Sequence, residues 1–200
     1  MISDSSLNFE HSPEYSNAMM TPERWAKVKL LALDVDGVLT EGTLTFDEDG
    51  RLLQTFNVRD GFALVAARRA GITIAWISGR ASLVAEKRFA ELQLHHCILA
   101  CGDKAQAMRE LQEKYALSPD ECCFVGDDLP DLPAFSRCNV RVAVFDAVPE
   151  VLTRANYVTR ARGGRGAVRE VVEKILTARG DWQNLVARFA SQTEDENLQR

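Results

Sequence analysis

Two aspartates one residue apart, Asp34 and Asp36, head a set of polar residues that together could move a phosphoryl group. They stand in the run Asp34-Val-Asp36-Gly37-Val-Leu-Thr40. Ser78 begins a Ser-Gly-Arg80 step, Lys104 follows Gly102-Asp103, and Asp127, Asp128 and Asp131 share a Gly126-Asp-Asp-Leu-Pro-Asp segment. A carboxylate can attack phosphorus and carry the group as an acyl phosphate. A second carboxylate two residues on can protonate the leaving oxygen, then take a proton from the water that hydrolyses the intermediate. A serine hydroxyl and a lysine ammonium suit the phosphoryl oxygens, whose transfer depends on positioning and charge stabilisation. Carboxylates gathered in one crevice repel each other, so a hard divalent cation such as magnesium is the natural neutraliser. Singly, each fragment has an ordinary role as a turn, a helix cap or a solvated charge. Their meaning depends on whether the fold gathers them.

The elements that must do so are legible as an alternation. Apolar runs at 28–33, 73–77, 97–100, 122–125, 140–145 and 157–159 are separated by amphipathic stretches. Most runs are continuous, as strands covered on both faces require. Met108, Leu111 and Tyr115 recur on one helical face, and Val168, Val171, Val172, Ile175 and Leu176 hold another through two turns. The alternation predicts an α/β fold built on a doubly wound parallel sheet. Such sheets bind ligands at the carboxyl ends of their strands, and the polar fragments all fall at that edge. One segment departs from the pattern. GTLTF, an acidic DEDG turn and RLLQTFNV read as a β-hairpin over 42–57, leaving the sheet where a ligand would sit.

DVDGVLT, ISGR, GDK and GDDLPD resemble, in order, the four motifs of phosphatases of the haloacid dehalogenase superfamily. The resemblance implies the Rossmann-like fold of that superfamily, with Asp34 as nucleophile and Asp36 as general acid and base. It implies a magnesium ion on Asp34, the backbone carbonyl of Asp36 and Asp127, with Asp128 and Asp131 supporting that shell or acting through water. Ser78 and Lys104 take the phosphate-binding roles. FNVRDG at 56–61, ANYVT and GGRGAVREV at 163–171 extend the resemblance over about residues 28–175. They are similar to the branch that hydrolyses phosphates of eight- and nine-carbon sugar acids. That branch keeps a small hairpin in place of a cap domain and forms homotetramers in which hairpins pack centrally and a neighbour helps close each site.

A phosphorylated sugar acid is anionic at both ends, so a second cationic site is expected beyond the metal. Arg59, Arg80 and Arg165 are the candidates, and the Gly163-Gly164-Arg165-Gly166 segment is expected to be a mobile closing element over the substrate. A single phosphatase domain is expected over 26–180, between a polar N-terminal arm (1–25) and a polar C-terminal tail (181–200).

The 24 lysines and arginines against 29 aspartates and glutamates give a net charge of −5, so no general attraction to nucleic acid or to an anionic membrane is expected. No apolar run reaches the roughly 20 residues of a membrane span, and the start lacks a basic-then-apolar secretory pattern. A cytoplasmic location is expected. The five cysteines form no regular framework and read as reduced thiols. A zinc site on His95, His96, Cys97 and Cys101 lacks a second ligand pair at finger-like spacing. A phosphoacceptor receiver domain shares the residue types, but there the acidic pair precedes a phosphoacceptor on the third strand and the lysine comes last. Here the Asp-x-Asp pair comes first and Lys104 precedes Asp127. DVDG and DEDG also fail the EF-hand loop, whose glycine and glutamate fall elsewhere.

Overall fold

The computed structural model describes residues 20–198, with side chains through Ser191. Its strands are β1 (Leu30–Leu33), β2 (Thr45–Phe46), β3 (Leu52–Leu53), β4 (Thr73–Ile77), β5 (His96–Ile98), β6 (Cys122–Gly126), β7 (Val140–Ala143) and β8 (Tyr157–Val158). Its helices are α1 (Pro22–Ala26), α2 (Val58–Arg69), α3 (Leu83–Leu92), α4 (Lys104–Tyr115), α5 (Leu132–Phe135), α6 (Pro149–Leu152), α7 (Ala167–Ala178) and α8 (Asp181–Leu198).

Every apolar run of the sequence supplies a strand of one six-stranded sheet, ordered β5-β4-β1-β6-β7-β8 and parallel throughout. All four residues of β1 and all five of β6 are buried, because helices cover both faces and leave no side to water. From β1 the chain winds outward through β4 and β5, then returns to the other side of β1 for β6, β7 and β8. The direction of winding thus reverses at β1, and a crevice opens at the carboxyl ends of the strands there.

Local capping sets where the helices begin. Asn57 accepts from the Arg59 amide (2.9 Å), Ser82 from Ala85 (3.1 Å) and Asp103 from Gln106 (3.0 Å), so α2, α3 and α4 all start just past the sheet edge. On α7 the expected face is buried through Val168, Val171, Val172, Ile175 and Leu176; on α4, Met108 and Leu111 are buried while Tyr115 is half out, its hydroxyl 2.6 Å from His96 Nε2.

The expected hairpin forms, but its ladder is short. Thr45 pairs with Leu53 and Phe46 with Leu52, antiparallel, around a turn in which Asp47 Oδ1 accepts from the Asp49 and Arg51 amides. Beyond the ladder the returning chain runs inward, and Phe56 stacks on Trp76 of β4 with ring centroids 5.8 Å apart.

Packed residues also lie beyond both expected edges of the domain. Trp25 of α1 is buried and meets Tyr157 edge-on at 5.2 Å, so the packed unit begins inside the segment expected as a polar arm. Residues 1–19 of that arm lie outside the described residues. At the other end the expected tail opens as α8, whose Trp182 and Leu185 pack against the core while Arg169 lies 4.5 Å over the Trp182 ring. Apolar side chains set among charges at helical spacing are enough to dock such a segment. No described helix is long and apolar enough to cross a membrane.

Candidate active site

Register brings the polar fragments together. Leu33 of β1 pairs with Trp76 of β4 on one side and with Val125 of β6 on the other. The next residues out of each strand are therefore Asp34, Ile77-Ser78 and Gly126-Asp127, all at one sheet edge. The Asp34 amide still bonds Val125 O (3.0 Å), so the aspartate is fixed at the last rung of the ladder. Lys104, the first residue of α4, reaches into the same crevice with only 4% of its surface exposed.

There Lys104 Nζ donates to Asp34 Oδ1 and to Asp131 Oδ1, both at 2.7 Å. Asp131 Oδ2 accepts from the backbone amides of Asp127 (2.8 Å) and Asp128 (3.2 Å). Both Asp131 oxygens are thus committed, and the residue works as a brace that joins Lys104 to the β6 loop. Asp34 spends Oδ1 on Lys104, and the Val35 amide also bonds its carboxylate. Asp127 Oδ1 is buried without a hydrogen-bond partner. Asp128 is exposed and caps the short turn Leu129–Asp131, accepting from the Leu129 amide (2.7 Å).

The electrostatics follow from this arrangement. Burial, then the charge of Asp131, pushes Asp34 up to about 6 against the pull of Lys104. Burial and then Asp131, Asp34 and Asp128 push Asp127 up to about 8. Burial works against the Lys104 charge, but Asp34 and Asp131 outweigh it and raise its pKa, so it stays an ammonium. One ammonium cannot balance the carboxylates of Asp34, Asp127 and Asp131, which can place one oxygen each within 4.8 Å of one another. An orphaned oxygen beside a deficit of positive charge, in an all-oxygen donor set, fits a hard divalent cation.

The loop after β1 is built to let Gly37 and Asp127 approach closely. Gly37 has φ +92°, and a β-carbon there would sit 2.1 Å from Asp127 Oδ2, so only glycine fits. Thr40 Oγ1 accepts from the Gly37 (3.3 Å) and Gly42 (3.4 Å) amides and holds the turn. Asp36 Oδ1 accepts from Gln54 Nε2 at 2.9 Å, and Arg80 Nε lies 3.8 Å from its Oδ2. Ser78 is buried, its Oγ accepting from the Arg80 amide (3.1 Å).

The arginines divide. Arg80 is half exposed and faces Asp36. Arg165 pairs with Glu41 at 2.9 Å on the rim of the same loop, and Arg59 stands exposed on the first turn of α2. The Gly163–Gly166 segment, expected as a mobile closing element, is held by the chain's own bonds. The Gly163 amide donates to Asp146 (3.0 Å), the Gly164 amide to Val38 O (2.9 Å) and Asn57 Nδ2 to Gly164 O (3.3 Å). A β-carbon on Gly163 would lie 1.6 Å from Gly37 O, so this glycine serves close approach of two backbones rather than flexibility. His95 and His96, considered for zinc, are engaged elsewhere, with His95 Nδ1 accepting from the Ile74 amide (3.0 Å) and His96 on Tyr115.

Two contributors escaped the sequence reading. Asp60, buried in the FNVRDG run, accepts from the Gly166 (3.2 Å) and Arg169 (2.7 Å) amides and so ties the start of α7 to α2. Gln54 reaches Asp36 from the hairpin. Its signal is positional: residues 52, 54 and 56 are the half-buried side of an alternating stretch, and Gln54 is the polar one among Leu52 and Phe56.

Residues 100–171 match the family model of the haloacid dehalogenase-like hydrolases. A 3-deoxy-D-manno-octulosonate 8-phosphate phosphatase of Escherichia coli is 44% identical over 153 residues, 76% of this chain and 81% of the relative. A phosphatase of the same name from Yersinia pestis is 40% identical over 156 residues, 78% of this chain and 83% of its own length. The crystal structure of the Moraxella catarrhalis 3-deoxy-D-manno-octulosonate 8-phosphate phosphatase, with magnesium, phosphate and the sugar acid, superposes with a TM-score of 0.82 at 35% identity, covering 86% of this chain and 98% of that one. Sheet order, site geometry and these relatives agree: this chain belongs to the haloacid dehalogenase-like hydrolases, among their 3-deoxy-D-manno-octulosonate 8-phosphate phosphatases.

Proposed function

We propose that this chain hydrolyses 3-deoxy-D-manno-octulosonate 8-phosphate to the free sugar acid and phosphate, with magnesium and through an aspartyl-phosphate. Asp34 Oδ2 attacks phosphorus, and the bond from phosphorus to the sugar oxygen breaks as Asp36 gives that oxygen a proton. Asp36 then takes a proton from a water molecule, which attacks the same phosphorus and restores the Asp34 carboxylate. Lys104 holds Asp34 Oδ1 and thereby aims Oδ2, and with the Ser78 hydroxyl it offers donors to the phosphoryl oxygens. Magnesium would be held by Asp34, Asp127 and the Asp36 carbonyl, with Asp128 and Asp131 behind them, and would supply positive charge to carboxylates and phosphate alike. The observation that carries this reading is the buried Asp34–Lys104–Asp131 pairing beside the unpartnered Asp127 oxygen.

Arg80, Arg165 and Arg59 form the substrate's cationic rim in this reading. The hairpin leaves Leu44, Phe46 and Leu53 exposed, more apolar surface than a short solvated ribbon holds, which supports a homotetramer built on packed hairpins. The work would be done in the cytoplasm, in making the inner sugar of lipopolysaccharide. Phosphate release should be measured on this sugar phosphate, a nine-carbon sugar-acid 9-phosphate and p-nitrophenyl phosphate, before and after chelation and magnesium repletion. Preference for the octulosonate ester and dependence on magnesium are expected. Preference for the nine-carbon ester would overturn the substrate, full activity after exhaustive chelation would overturn the cofactor, and a monomer by light scattering at micromolar concentration would overturn the assembly.

A further inference from the structure

We infer that Gln54, carried by the hairpin, is a positioning residue for the general acid Asp36, with its amide locked in orientation by Ser82. The inference rests on the phosphatase reading above. With Asp36 Oδ1 an acceptor, one arrangement satisfies every group. Ser82 caps α3, so its Oγ accepts from the Ala85 amide at 3.1 Å. Its single hydroxyl hydrogen is then free to donate, and it goes to Gln54 Oε1. With Oε1 engaged as an acceptor, the amide must turn its Nε2 hydrogens the other way, and there Nε2 donates to Asp36 Oδ1 at 2.9 Å. A buried serine on the core domain therefore fixes a glutamine of the hairpin, which fixes one oxygen of the Asp36 carboxyl group.

The consequence is division of labour between the Asp36 oxygens. Oδ1 is held, so rotation of the carboxyl group is restrained and Oδ2 is the oxygen left for the sugar oxygen and later for water. Asp36 sits on a loop rather than in the ladder, and its side chain is 21% exposed. It lacks the pair of buried partners that fixes Asp131. Without Gln54 its carboxyl group would keep, among the described residues, only the Arg80 guanidinium, 3.8 Å away and itself 44% exposed. The acid must meet the leaving oxygen within hydrogen-bond reach at the moment the bond breaks, so loss of this restraint weakens protonation specifically.

Leaving-group dependence separates this role from a structural one. The magnesium-loaded enzyme and its Gln54→Met and Ser82→Ala variants should be assayed for kcat/KM on p-nitrophenyl, phenyl and simple alkyl phosphates, none of which carries the sugar. An acidic leaving group departs with little help from a proton, whereas an alkoxide needs it. Gln54→Met is expected to lose about tenfold or more on the alkyl ester and under about threefold on the p-nitrophenyl ester, so log kcat/KM falls more steeply with leaving-group pKa. Ser82→Ala should steepen the line in the same direction but less, because it frees the amide without removing it, and Ser82→Thr, which keeps the hydroxyl, should restore the wild-type slope. Parallel lines for wild type and Gln54→Met, whether displaced or coincident, would overturn the inference. A wild-type enzyme that releases phosphate neither from these esters nor from the sugar-acid phosphate would overturn the phosphatase reading itself, with this inference falling alongside it.

Discussion

The floor and the rim of the crevice are built on opposite terms. On the floor, Lys104 and Asp131 are almost wholly buried, each bonded to at least two partners, and anchored to the ends of α4 and β6. On the rim, Arg165 and Glu41 form one exposed ion pair, and Gln54 reaches Asp36 from a hairpin whose ladder is two residues long on each side. Charge on the floor is concentrated in a low-dielectric space, where it orients a nucleophile and asks for a metal; on the rim, solvent screens each interaction. In the function proposed above, the floor sets what reaction takes place, and the rim sets which molecule undergoes it and how well the proton is delivered.

If this division holds, substitutions should fall in order of depth. Asp34→Asn removes the nucleophile and should lower kcat by at least about 10⁴-fold on every phosphate ester. Because it also removes a like charge from the cluster, thermal unfolding of the metal-free variant should show no loss of stability. Turnover within tenfold of wild type, with reversion to aspartate excluded by mass spectrometry, would break the covalent mechanism.

Lys104→Met should come next, affecting both fold and chemistry. It leaves Asp34 and Asp131 buried together without their counter-charge, a change that costs about 3–5 kcal/mol when one partner of a buried pair is lost, measurable by urea unfolding. It should also cost kcat on the order of 10²-fold, equally on sugar and aryl phosphates. A selective loss on the sugar phosphate would move Lys104 from the floor to the rim.

The charge deficit of the floor predicts a pH dependence with a definite sign. Asp34 and Asp127 titrate near 6 and 8 in the folded protein, above an unfolded aspartate at roughly 4. Raised values mean that their contribution is fully present below the unfolded pKa and is lost as pH rises through the folded ones. The urea midpoint of the chelated protein should accordingly fall between pH 5 and pH 9, and saturating magnesium should oppose the fall most at the alkaline end, where both carboxylates are ionised to receive it. A midpoint that rises over this range without metal would contradict the assignment of these groups.

The smallest effect should come from the rim. Arg165→Ala should cost under about 1 kcal/mol of stability, since its pair with Glu41 is exposed. It should lower kcat/KM on the sugar-acid phosphate by roughly tenfold and leave p-nitrophenyl phosphate nearly unaffected. Equal losses on both substrates would place Arg165 with the phosphate or the fold.

Much of the floor was legible beforehand because its positions are dictated locally. A continuous apolar run must become a buried strand, a buried parallel strand must end at the sheet edge, and the residue after it must face the crevice. That chain of necessity carries Asp34, Ser78 and Asp127 from sequence to site without any knowledge of neighbours, and Lys104 follows as the first residue of the helix after β5. Helical spacing likewise put Val168, Val171 and Val172 on the buried face of α7. Trp25 and Trp182 read less clearly, because one apolar residue among charges signals packing only when a partner such as Tyr157 or Arg169 exists to receive it.

What the tertiary structure alone decided are pairings across long stretches of chain. Three glycines in four residues suggest freedom, yet Gly163 is pressed to the backbone of Gly37, a contact no local rule could anticipate. Asp60 reads as an ordinary residue of a helix's first turn, and only the approach of α7 turns it into the acceptor for Gly166 and Arg169. Gln54 looks like a polar break in an apolar ribbon until Ser82 and Asp36 arrive on either side of its amide. Hydrogen-bond partners are chosen by proximity in space to within a few tenths of an ångström, whereas periodicity and spacing determine only the face on which a side chain stands.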